Sequence, residues 1–182
     1  MLSDQDIIKG CIEGKEKAYK ALIDQYAPRL MAMALRYLRH NAAAEDAVQE
    51  SFIKVFQSIH KYDHKDLLYP WLSRICVNQC LKELRNKVIS FYPEHTLEVS
   101  EMQDIQPTEG YEDDMQKALN NLPEAYRIVF NLNVADGYAH AEIAQMLGIT
   151  ESTSRVYLTR ARAILKSNLL KSNNTGYVSG VS

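Results

Sequence analysis

Near the C-terminal end of the chain, Arg155, Thr159, Arg162 and Lys166 step by four, three and four, with Arg160 close by. At about 3.6 residues per turn this spacing places them on one face of a helix. Such a row breaks no bonds. Its chemistry is to hold phosphates, and an arginine can also grip a guanine edge through two parallel hydrogen bonds. A second set, Arg74, Asn78, Lys82 and Arg85, clusters in the same way, and the aromatics Tyr62, Tyr69, Trp71, Phe91 and Tyr92 lie close to it in sequence. Rings stack on unpaired bases while cations hold the backbone, so this stretch suits a single strand. For Trp71 itself, at least partial packing in the core is the favoured reading. A third set has the opposite sign: Asp46, Gln49, Glu50 and Gln57 surround Ile53. An acidic face with an apolar centre fits a partner whose surface is basic and partly apolar. A stray isoleucine on a solvated helix face is an equally ordinary explanation.

Other chemistries are absent from the pattern. There is no Gly-rich phosphate loop, no nucleophile elbow and no HExxH motif, and the five histidines are scattered. His140 reads as a surface or capping residue rather than a base. An enzymatic role is therefore not expected, and neither a cofactor nor a metal is called for. Cys76 and Cys80 lie one helical turn apart, but no His or Cys lies near them to complete a four-ligand site. They read as small buried hydrophobes. Three cysteines cannot all pair and the N-terminus does not resemble a signal peptide, so a cytoplasmic protein is expected. No apolar run approaches the roughly 20 residues needed to cross a bilayer, so membrane insertion is not expected.

The elements that must carry these side chains are helical throughout. Ser3 begins a short helix with Asp4 and Asp6 in its first turn. A longer one runs from about Lys15 to His40, with Tyr19, Leu22, Ile23, Tyr26, Leu30, Ala34 and Leu38 as apolar positions. Asn41 reads as the cap of a third helix reaching about His60, in which Val48, Phe52, Val55 and Ile59 face the core. Pro70 suits the first turn of a fourth helix ending near Ser90. A helix near 112–120 and another from Pro123 follow. In AHAEIAQMLGITESTSRVYLTRARAIL (139–165), Ile143, Ala144 and Leu147 share an apolar face and Gly148 supplies a left-handed exit. Thr150 caps the next helix, whose seam is Leu158, Ala161 and Leu165. Two helices joined by a short glycine turn, the second with a basic stripe, form a helix-turn-helix pattern. An ordinary helical hairpin with a solvated basic face is the alternative.

The net charge of −2 over 182 residues conceals a segregation of sign. Residues 150–171 hold five cations against Glu151, a net +4, and residues 69–93 hold four against Glu83, a net +3. Between them, 94–114 carries eight acids and no Lys or Arg, with Pro107 inside it and Pro93 just before it. That composition is a linker's. Its acids either keep the tether extended or shield the basic faces from bulk DNA. The expected fold is thus all-α: two small helical domains joined by a flexible acidic linker.

These segments together resemble the extracytoplasmic-function (ECF) group of bacterial RNA polymerase sigma factors, over about residues 10–170. AEDAVQESFIKVF (44–56) and PWLSRICVNQCLKELRN (70–86) look like the family's second conserved region. LPEAYRIVFNL (122–132) and the helix-turn-helix ending TRARAIL (159–165) look like its fourth. The resemblance implies a four-helix region 2-like domain in 1–92, an acidic linker in 93–111, a region 4-like helix-turn-helix domain in 112–170 and a flexible tail in 171–182. It implies a transcription initiation factor that is monomeric when free and partners core RNA polymerase (β and β′ subunits) and promoter DNA; an anti-sigma factor is left open. Asp46, Gln49, Glu50 and Ile53 match the helix that docks on polymerase. Tyr62, Trp71, Arg74, Asn78, Lys82 and Arg85 match the part that opens the −10 element. Ser152, Thr153, Arg155, Thr159, Arg160, Arg162 and Lys166 lie on the helix that matches the reader of the −35 element. Ser154 departs from the pattern, which often has a core-packing valine there; the serine hydroxyl is expected to fold back on the preceding turn or to shift the helix. The competing reading is a stand-alone helix-turn-helix regulator, which would dimerise and bind palindromic duplex without polymerase.

Overall fold

A computed structural model describes residues 2–62, 67–87 and 118–175, with the side chains of 86–87 and 169–175 outside that description. All the regular elements among the described residues are helical, in two compact units, 1–89 and 90–182. The expected linker at 93–111 and the last residues of the tail lie outside the described residues, as do Phe91 and Tyr92.

The N-terminal unit consists of α1 (Asp4–Ile12), α2 (Glu16–Leu38), α3 (Asn41–Ser58), a 3-10 turn (Ile59–Lys61) and α4 (Leu68–Lys87). Ser3 caps α1: its hydroxyl accepts from the Asp6 amide at 3.2 Å, while Asp4 and Asp6 complement the helix dipole. Gly10 lets α1 approach α2 closely, since a Cβ there would lie 2.5 Å from Ala18 Cβ. α2 ends at Arg39, which has a left-handed φ of 60°. The N-cap comes one residue before the expected one: His40 is extended there and Asn41 is the first helical residue. α3 packs against both α2 and α4. The core includes Leu22, Leu30, Tyr37, Val48, Phe52, Val55, Ile59, Leu72, Cys76, Val77 and Leu81. Of the positions expected inward on α2, Ile23 is exposed and Tyr19 is half-buried. Tyr37, not among those expected, is fully buried.

The C-terminal unit begins its description at Ala118. Residues 118–120 are helical, and 112–117 of the helix expected there lie outside the described residues. α5 (Glu124–Phe130) starts after Pro123 and widens into a π-helical turn (Asn131–Ala135), closed by the Asp136 amide donating to the Asn131 carbonyl at 3.0 Å. α6 (His140–Leu147) and α7 (Glu151–Thr175) follow. At the start of α6 the Glu142 carboxylate accepts from the Ala139 amide at 2.9 Å. Gly148 leaves α6 at φ 70°, as the turn requires. Thr150 caps α7 by accepting from the Thr153 amide at 3.0 Å. Ile128, Leu132, Ile143, Leu158, Ala161 and Leu165 are buried. α7 runs five residues into the stretch expected to be tail, reaching Thr175.

Candidate nucleic-acid and protein interfaces

α6, the Gly148 turn and α7 form the helix-turn-helix. Burying Leu158, Ala161 and Leu165 turns the opposite side of α7 outward, and Ser152, Arg155, Thr159, Arg160, Arg162 and Lys166 are all exposed there, with Thr153 half-buried. Glu151 and Arg155 pair across one turn at 2.5 Å. The Thr159 hydroxyl donates to the Arg155 carbonyl at 2.9 Å, which leaves its methyl and the acceptor side of the hydroxyl for an outside contact. Arg160 donates to the Tyr126 hydroxyl of α5 at 3.0 Å. That bond, before any other influence, raises the pKa of the guanidinium further above its ordinary value. The Tyr126 ring lies 5.2 Å from that of Tyr157, whose own hydroxyl pKa is pushed up mainly by burial. Ser154 is fully buried. Its hydroxyl lies 2.8 Å from His140 Nδ1 and not on the preceding turn as expected. His140 is accordingly a half-buried partner of the helix behind it rather than a plain surface or capping residue.

On α4 the side chains Arg74, Asn78, Lys82 and Arg85 are exposed and Trp71 is half-buried, as its favoured reading required. Tyr62 differs from expectation. Only 7% of it is exposed, and its ring lies 5.1 Å from that of Trp71, so it packs on that ring instead of offering a face to a base. In the first turn of α4, Tyr69 stacks on Tyr26 at 6.3 Å and carries the Arg29 guanidinium 3.7 Å from its ring centre. Tyr26 donates to Asp4 at 2.6 Å, and burial, followed by that carboxylate, pushes its pKa up to about 12. Between α3 and α4 runs an open cleft of about 410 Å³, lined by Lys54, Gln57, Ser58, Lys61, Ile75, Asn78 and Gln79. Sequence reading placed Gln57 with the acidic face and singled out neither Lys54 nor Lys61. Only the packing of α3 on α4 brings all three opposite Asn78.

The acidic face is on the outward side of α3. Ala44, Ala47, Val48, Ser51, Phe52 and Val55 are buried, which leaves Asp46, Gln49, Glu50 and Ile53 exposed. Ser51 is accommodated in the buried seam because its hydroxyl donates to the Ala47 carbonyl at 2.5 Å. Cys76 and Cys80 are buried and not disulfide-bonded, and among the described residues no group of His, Cys, Asp and Glu side chains is placed to hold a metal. No described helix is long and apolar enough to cross a membrane.

Residues 22–88 match the family description "Sigma-70 region 2" and residues 112–165 match "Sigma-70, region 4". The chain is 26% identical to the ECF RNA polymerase sigma-E factor of Haemophilus influenzae over 182 residues, covering 92% of this chain and 96% of that one. It is also 26% identical to the Escherichia coli K12 protein of the same name over 175 residues, covering 88% and 91%. The chain belongs to the ECF group of sigma-70-family sigma factors. As such it is a transcription initiation factor that directs RNA polymerase. Among solved structures, the sigma factor RpoE of Bartonella quintana, crystallised with the anti-sigma factor NepR, has the same fold with a TM-score of 0.54 at 24% identity, over 84% of this chain and 97% of that one. CnrH, solved with the cytosolic domain of CnrY, gives 0.52 at 19% identity, over 93% and 97%. In this sigma factor, then, the exposed cations of α4 fall in the region 2 match and those of α7 in the region 4 match, apart from Lys166, one residue past its end. The residues that sequence reading missed, Tyr126 and His140 as partners of α7 and Lys54 and Lys61 in the cleft, carry no motif of their own.

Proposed function

We propose that this sigma factor divides promoter recognition among three helix faces. The acidic face of α3 docks on core polymerase: Asp46 and Glu50 meet cations of the partner, Gln49 hydrogen-bonds at the rim, and Ile53 fills an apolar depression at the centre. The basic face of α4 holds the −10 element as it opens. Arg74, Lys82 and Arg85 take phosphates, Asn78 and the cleft beside it take a base edge, and Trp71 offers the exposed part of its ring for stacking. α7 lies in the major groove at the −35 element. Arg155 reads a guanine, Arg160, Arg162 and Lys166 hold the backbone, Thr159 presents its methyl to a thymine, and Ser152 and Thr153 contact the groove from the first turn. The cytoplasm, where polymerase and promoter DNA meet, is its place of action.

The observation that carries this reading is the orientation of the two basic rows. Each is exposed while the apolar seam of the same helix is buried, so both rows of cations face outward, where DNA can reach them. Run-off transcription with core polymerase, with and without the protein, tests it. Added promoter-specific transcripts are expected; their absence on every native template refutes the assignment. Tight binding to a palindromic duplex without polymerase would favour the stand-alone regulator instead.

A further inference from the structure

Among the described side chains of α7, Ser154 is the one polar group that is buried. It is the fourth residue of the recognition helix and fully buried, between Thr153 and Arg155. Its backbone amide donates to the Thr150 carbonyl at 3.0 Å, as any helical residue would. Its hydroxyl reaches instead across the helix-turn-helix to Nδ1 of His140, at 2.8 Å. His140 is the first residue of α6, fourteen positions earlier, so the bond ties the start of one helix to the reading end of the other. A valine, as the family pattern often has here, would fill this space with a non-directional contact. A hydrogen bond is confined to a narrow window of distance and angle. Hydroxyl and imidazole together therefore fix the rotation of α7 about its own axis, which apolar packing alone leaves softer.

The consequence falls on the neighbouring residue. Arg155 follows Ser154 directly, about 100° further round the helix, and is exposed. A reading side chain extends roughly 10 Å from the helix axis when stretched, so a rotation of about 10° displaces its tip by on the order of 1–2 Å. A recognition geometry has to be held within about 0.5 Å and 10–20° to remain productive. Phosphate contacts through long, flexible side chains survive such a shift; a two-bond grip on a base edge does not.

We infer that His140 and Ser154 form a positioning pair that sets the rotation of the recognition helix and so the sequence discrimination of the −35 contact. Neither residue touches the DNA. This rests on the sigma-factor reading, with α7 at the −35 element, and it adds residues that the resemblance to the family does not assign.

The experiment uses the full chain with core polymerase, on a native promoter where the wild-type holoenzyme initiates and on the same template with single −35 substitutions. The variants are Ser154→Ala, His140→Phe and His140→Asn, each with a thermal melt. Ser154→Ala is decisive because it breaks the link while leaving no buried hydroxyl without a partner, so a purely structural role predicts wild-type behaviour. Positioning predicts that Ser154→Ala and His140→Phe both lower the preference for the matched −35 template by about fivefold or more, with affinity for non-specific duplex held within about twofold. His140→Asn, whose side-chain amide places a hydrogen-bonding atom where Nδ1 stood, should retain most of the preference. A Ser154→Ala protein with wild-type preference overturns the proposal, whatever His140→Phe does to folding. A wild-type protein that gives no promoter-specific transcript overturns the sigma-factor reading itself, a separate result.

Discussion

Ile53 lies at the centre of the acidic face of α3 with 47% of its surface exposed. Fully burying an isoleucine side chain is worth about 1.5–3 kcal/mol. Nearly half of that remains to be gained when a partner covers the face. Ile53→Ala should therefore weaken core-polymerase binding by about 0.7–1.4 kcal/mol, roughly three- to tenfold in Kd. Alanine is also the best helix former, which limits the cost to α3 itself. The charged rim behaves differently. Asp46→Lys with Glu50→Lys removes two exposed pairs, each worth about 0.2–1 kcal/mol, and the loss should shrink as salt rises because exposed charges are screened. The assay is a titration of the labelled chain with core polymerase at two salt concentrations, with circular dichroism to confirm helical content. Ile53→Ala should lose affinity equally at both concentrations, and the charge-reversed variant mainly at the lower. Affinity within twofold of wild type for both variants, with helices intact, would remove this face from the interface. A loss for Ile53→Ala that vanished at high salt would refute desolvation as its cause.

Three further outcomes are expected. Arg155→Ala should relax preference at one −35 base pair by about 1–3 kcal/mol, whereas Lys166→Ala should weaken all sequences alike; binding to matched and single-substituted duplexes measures both. Asn78→Ala should reduce open-complex formation more than closed-complex binding, read by permanganate footprinting, while Tyr62→Ala should act on the same step by removing the ring packed against Trp71. Gly10→Ala places a methyl 2.5 Å from Ala18 Cβ and should destabilise the N-terminal unit by about 1–3 kcal/mol, a cost of overpacking that adding Ala18→Gly should relieve; urea unfolding of the single and double variants tests it.

Periodicity determined the faces of α3 and α7. Val48, Phe52, Val55 and Ile59 repeat at helical spacing, and burying them leaves Asp46, Glu50 and Ile53 nowhere to point but outward. The same holds for α7, where Leu158, Ala161 and Leu165 fix the side on which Arg155, Arg162 and Lys166 emerge. Caps were equally legible where the signal is local, as at Ser3, Gly148 and Thr150. The start of α3 was misplaced by one residue because a left-handed arginine, not the side chain of Asn41, makes the reversal. Contacts between elements could not be read in this way, because residues far apart in sequence meet only through packing. Tyr62 is an aromatic beside cations in sequence, yet its ring is removed from solvent by Trp71. Lys54 and Lys61 belong to a cleft that exists only once α3 lies on α4. Arg160 keeps its place on the basic stripe but gains Tyr126 as a partner from α5. Ser154 could be seen as a departure from an apolar position; that its hydroxyl is answered by His140 depends on the angle at which two helices cross, which no spacing along the chain encodes.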